Sequence, residues 1–72
     1  MSIRRNPVSS TNVRSIGYDE RSQTLEVEFQ SGSVYRYFNV PKTIVDAFLA
    51  APSKGQFLSS QIRNRFPYAR VG

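Results

Sequence analysis

"TLEVEFQSGSVYRYF", residues 24–38, holds two runs of β-forming residues around a glycine, and the phase between them decides the fold. In the first run Leu25, Val27 and Phe29 alternate with Thr24, Glu26 and Glu28, the period of a strand with one buried face. The second run is rich in valine, tyrosine and phenylalanine and follows "QSG" directly, so the two form a hairpin. Two turns are compatible with the chain. A two-residue loop of Ser31 and Gly32 pairs Gln30 with Ser33 and puts Tyr35 and Tyr37 on the face of Glu28 and Glu26. A three-residue loop, Gln30 to Gly32 with glycine in the left-handed bulge position, sets Phe29 opposite Ser33 and Val27 opposite Tyr35. It also sets Leu25 opposite Tyr37 and Glu26 opposite Arg36. The three-residue loop is favoured, because it gathers the apolar side chains on one face and pairs opposite charges on the other. The two-residue loop instead buries Arg36 beside Val27, a costly placement for an unpaired charge.

Outward from the hairpin, "NVRSIGYD" at 12–19 reads as a shorter strand with Ile16 and Tyr18 inward, joined to the next by a turn at Asp19 to Ser22. At "NVPKTIVDAFLAAP" (39–52) the period changes. Pro41 suits the first helical position, where its missing N–H costs nothing. Ile44, Val45, Phe48 and Leu49 share a helical face, and Pro52 stops the run. Ser53 and Gln56 have capping-box spacing at the start of a second helix. Leu58, Ile62 and Phe66 then form one apolar stripe, and Pro67 ends it. The expected architecture is α+β: a three-stranded antiparallel meander followed by two short helices packed on one face, β-β-β-α-α. Residues 12–70 are expected to form the single domain, and residues 1–11 a flexible or loosely docked basic tail.

With 72 residues there is one domain, and a chain of this size buries only about 60% of its unfolded surface. Neither cysteine nor histidine occurs, so disulfides are excluded and no metal site or cofactor is expected. No apolar run approaches the ~20 residues of a membrane span, and the N-terminal charges precede no apolar stretch, so a soluble, cytoplasmic protein without a membrane partner is expected. The net charge of +5 is uneven: residues 1–14 carry +3, residues 15–46 carry −2 and residues 47–72 carry +4. Either a polyanion meets the basic ends or the charge serves solubility.

Little in this chain points to catalysis. The commonest general base and the thiol nucleophile are missing, and no phosphate-cradling glycine motif occurs. Glu26 and Glu28 are the one same-face carboxylate pair, expected to be solvated with no cleft around them, so catalytic residues are expected to be absent and the protein is read as no enzyme. Tyr35 and Tyr37 do not read as a base-stacking platform, because they lie in the core in one register and beside carboxylates in the other. Two basic features remain. Ser53, Lys54 and Gly55 at the start of the second helix present N–H groups to an anion, the alternative being that Ser53 caps its own helix. Lys54 and Arg65 fall on one shoulder of that helix and Arg63 on the other, with Arg70 beyond. These four, assisted by Arg4, Arg5 and Arg14, are the candidate nucleic-acid contacts.

The segments "IGYD" (16–19), "LEVEF" (25–29), "GSVYRYFNVP" (32–41), "APSKGQF" (51–57) and "IRNRFPY" (62–68) together resemble the KTSC domain. That family is named for its occurrence at the C-terminus of some lysyl-tRNA synthetases and also appears as stand-alone bacterial proteins. Its Y-x-Y centre matches Tyr35 and Tyr37. The resemblance implies a domain of unassigned function for which RNA binding is suggested through the synthetase association. The resulting expectation is a small non-catalytic module that contacts RNA or tRNA phosphates. The alternative is a protein-interaction module using exposed strand edges or the segment "RFPYARV" (65–71).

Overall fold

Gly32 adopts φ of +98°, a left-handed conformation that costs glycine nothing. Its N–H donates to the Phe29 carbonyl at 2.9 Å, and the Phe29 N–H donates to the Ser33 carbonyl at 2.9 Å. That closes the three-residue turn and fixes the register: Leu25 faces Tyr37, Glu26 faces Arg36 and Val27 faces Tyr35. The computed structural model describes residues 2–72.

The sheet has five antiparallel strands in sequential order, two more than the meander expected from the sequence. They are β1 (Arg5–Pro7), β2 (Val13–Asp19), β3 (Thr24–Phe29), β4 (Val34–Tyr37) and β5 (Tyr68–Arg70). Between β4 and β5 come α1 (Lys42–Ala50) and α2 (Lys54–Phe57), the latter running directly into a π-helical turn, Leu58–Ile62. The segment read as a tail thus supplies an edge strand, with Asn6 opposite Ile16. The segment after Pro67 supplies the other, with Tyr68 opposite Tyr37. Each is three residues long, too short to show alternation. Pro7 is tolerated in β1 because an edge strand has an unpaired side.

Helix α1 starts one residue later than expected. Pro41 is its N-cap, extended at φ −70° and ψ 153°, and its carbonyl accepts from Ile44 and Val45. The second helix stops short of Phe66. The Arg63 N–H reaches back five residues to the Leu58 carbonyl at 2.8 Å, and residues 63–65 turn away toward β5. Among the described residues ten apolar side chains form the core, contributed by β2, β3, Tyr37 of β4, Val40, α1 and the π-helical turn. Phe48 is fully buried there, a burial that stabilises by about 1.5–3 kcal/mol. Among the described residues no helix is long and apolar enough to cross a membrane.

Candidate functional site

Residues directly opposite across two strands share a face, as do residues two apart on one strand. Tyr35, Tyr37 and Tyr68 therefore all project to the helix-covered side. Their ring centroids lie 6.5 Å apart for Tyr35 and Tyr37, 5.9 Å for Tyr35 and Tyr68 and 5.8 Å for Tyr37 and Tyr68. Phe29 meets Tyr35 edge-on at 5.7 Å. The helices cover only part of this aromatic surface. Leu58, Ser59 and Arg63 stand across from it, and between them opens a cleft of about 500 Å³ whose lining, among the described residues, contains one cation and no carboxylate.

Burial grades across the three tyrosines. Tyr37 is 3% exposed and belongs to the core, Tyr35 is half-buried against it, and Tyr68 is 57% exposed. Burial pushes the Tyr37 hydroxyl above its ordinary pKa, while the Arg63 guanidinium pulls in the opposite direction. Tyr35 and Tyr37 alone do not announce an exposed aromatic surface, which requires Tyr68 opposite Tyr37. The pairing of β5 on β4 supplies the third ring, which no periodicity in "RFPYARV" announces.

The candidate cations separate into two groups. Arg5 and Arg14 point to the opposite, open face of the sheet. Arg5 Nη1 lies 2.5 Å from Glu26 Oε2, and Arg36 Nε lies 2.7 Å from Glu26 Oε1. A bulge between Val13 and Ser15 aims Arg14 at Gln30, where Nε donates to Oε1 at 3.3 Å, and toward Glu28 at 3.9 Å. Arg4 is exposed with no ion pair among the described residues. Lys54 Nζ donates to the Ala51 carbonyl at 2.7 Å, which ties it to the end of α1. Ser53 Oγ accepts from the Gln56 N–H at 3.3 Å, so Ser53 caps its own helix, whose four α-helical residues offer little dipole for an anion beside Gly55. Arg63 remains on the cleft, Arg65 is exposed in the turn below it, and Arg70 lies opposite Tyr35 in the β4–β5 register.

The open face also corrects the reading of the carboxylates. Glu26 is buried and lines, with Glu28, Ser15, Arg5 and Arg36, a hollow of about 650 Å³. Residues 3 and 4 pass directly over Gly17, where an added Cβ would fall 2.4 Å from the Arg4 carbonyl oxygen. Glu28 Oε1 accepts from Ser15 Oγ at 2.8 Å. Both carboxylates are thus held by neighbours within the fold. Among the described residues no cluster of acidic side chains is arranged to hold a metal ion.

The model of the KTSC domain matches residues 9–66, most of the chain. The chain belongs to the KTSC domain family. It is 39% identical over 59 residues to a lysine–tRNA ligase of Nostoc punctiforme, a match covering 82% of this chain and 10% of the ligase. It is 40% identical over 70 residues to an uncharacterised protein of Stutzerimonas stutzeri, covering 96% of this chain and 99% of that one. The crystal structure of a KTSC domain protein from Yersinia pestis superposes with a TM-score of 0.93 at 37% identity, over 99% of this chain and all of that one. The edge strands outside the family match are therefore included in that superposition. This KTSC domain spans about a tenth of the length of the lysine–tRNA ligases it matches. The KTSC domain is a small domain of unknown function with no known catalytic role.

Proposed function

We propose that this KTSC domain is a non-catalytic RNA-contacting module whose phosphate contacts are Arg63, Arg65 and Arg70. One observation carries the reading: the charges are sorted between the two faces of the sheet. Glu26 and Glu28 lie on the open face, paired with Arg5, Arg14 and Arg36. Arg63 and Arg65 are exposed and make no ion pair among the described residues, and Arg70, also exposed, donates from Nε to the Gly72 oxygen at 2.9 Å. A polyanion approaching the cleft meets the Arg63 guanidinium in a lining that holds no carboxylate among the described residues, which favours contact and steers approach. The likeness to a segment of lysine–tRNA ligases supports tRNA as the class of partner. A cytoplasmic location accompanies this reading.

The test is an amide chemical-shift titration of the domain with tRNA at two ionic strengths. Amides of residues 53–70 should move, and those of β1 and the Glu26 face should not. With three phosphates neutralised, log K should fall against log salt with a slope of roughly −2 to −3. Arg65→Ala should flatten that slope by about one and weaken all sequences alike. Binding indifferent to salt would replace this reading with a protein-interaction module.

A further inference from the structure

We infer that the cleft between the sheet and the π-helical turn receives the base of one unpaired ribonucleotide, stacked on Tyr68 with the inclined Tyr35 ring at its edge. This rests on the RNA-contacting reading and names the form of RNA that the domain takes. A cavity of about 500 Å³ falls in the range of small-ligand sites. It suits a nucleotide and is far too small for a duplex. Its floor is the Tyr37 ring and its open wall is Tyr68, which stays 57% exposed although it is a large aromatic on a short edge strand. Stacked bases need an aromatic face beside positive charge, and Arg63 supplies the charge within the same lining.

The polar rim suits a base edge as well. The Asn12 carboxamide lines the cleft and makes no hydrogen bond among the described residues, so its donor and acceptor are both free. The neighbouring Gln30 is engaged: its Nε2 donates to the Ser10 carbonyl at 3.3 Å and its Oε1 accepts from Arg14. Asn12 is therefore the residue placed to meet the Watson–Crick or Hoogsteen edge of a seated base, the geometry in which single-stranded RNA is read.

The chain contains four tyrosines and no tryptophan, so tyrosine emission reports the cleft with little interference. Three of the four line it, while the Tyr18 hydroxyl is bonded to the Val40 carbonyl elsewhere. The experiment titrates the full chain with a short single-stranded oligoribonucleotide, an abasic oligomer with the same phosphates and a blunt RNA duplex. The single strand should quench tyrosine emission and bind about five- to a hundredfold tighter than the abasic oligomer. Tyr68→Ala should remove that advantage, whereas Tyr68→Phe should keep it. Ser59→Leu, placed on the exposed helical wall, should block the cleft and act like Tyr68→Ala without touching the sheet. Asn12→Ala should narrow the spread of affinities among homopolymers of the four bases. Equal, salt-dependent binding of all three probes would overturn the base site and leave the phosphate contacts standing. Failure of every probe at low salt would overturn both.

Discussion

Glu26→Gln is the substitution whose effect follows most directly from the geometry. The Glu26 side chain is 5% exposed and accepts from Arg5 at 2.5 Å and from Arg36 at 2.7 Å. Removing one member of a buried pair costs about 3–5 kcal/mol when the remaining charge has no water. Here Arg5 and Arg36 are 30% and 20% exposed, so water resolvates part of each guanidinium and lowers the loss. Glutamine keeps one acceptor oxygen but turns an N–H₂ toward the second guanidinium. The net change is about one charge-assisted hydrogen bond, or roughly 2–3 kcal/mol. A domain of this size has a total stability of about 4–11 kcal/mol, so the urea midpoint should fall substantially at an unchanged slope. Glu28→Gln is the internal control. Its side chain is 20% exposed and Arg14 lies 3.9 Å away, so the loss should stay under about 1 kcal/mol. Equal losses for the two variants would refute the assignment of Glu26 as a buried, doubly paired carboxylate.

Other substitutions test other parts of the structure. Tyr37→Ala should destabilise by about 3–5 kcal/mol in the same urea assay, whereas Tyr37→Phe should fall within about 0.5 kcal/mol of the parent. Gly17→Ala should displace residues 3 and 4 and collapse the amide shifts of β1, because the new methyl group meets backbone rather than a movable side chain. Stability should decline as pH rises through the tyrosine range. Burial raises the Tyr18 and Tyr37 hydroxyls above 10.0, so the folded state holds their protons longer than the unfolded chain. That contribution is complete below pH 10 and disappears as the pH passes the raised values, and Tyr18→Phe or Tyr37→Phe should shallow the alkaline limb of a stability–pH profile.

The hairpin was legible because a wrong phase carries a penalty. Only one register keeps Arg36 out of the core, and Gly32 provides the turn that this register needs. The first helix was legible for a related reason: two prolines bracket it, and Val45 and Phe48 give it one apolar face. The edge strands were not, since three residues carry no period and their pairing depends on a partner already in place. Tyr68 was missed with β5, and the cleft with Tyr68. The burial of Glu26 escaped because alternation assigns a residue to a face without saying whether that face is covered. A signal was present in Gly17, a glycine inside a strand, which marks a close approach of another segment of backbone. The end of the second helix was misplaced because Leu58, Ile62 and Phe66 keep an α-helical spacing through a turn that is π-helical.

The placement of β5 has a kinetic consequence. Leu25 and Tyr37 pair across 12 positions of chain, whereas Tyr37 and Tyr68 pair across 31. The loop entropy of the second closure must be met before its contacts form, so the meander assembles early and β5 docks late. The same order governs opening in the native state. A three-residue edge strand with exposed side chains lies at the low-stability end of the molecule, and its amides should exchange with solvent well ahead of those in β2 and β3. Detachment of β5 carries Tyr68 away and dismantles one wall of the cleft while the core stays intact. The cleft is thus a late product of folding, and any ligand that seats against Tyr68 should slow exchange in residues 68–71 before it slows exchange anywhere else.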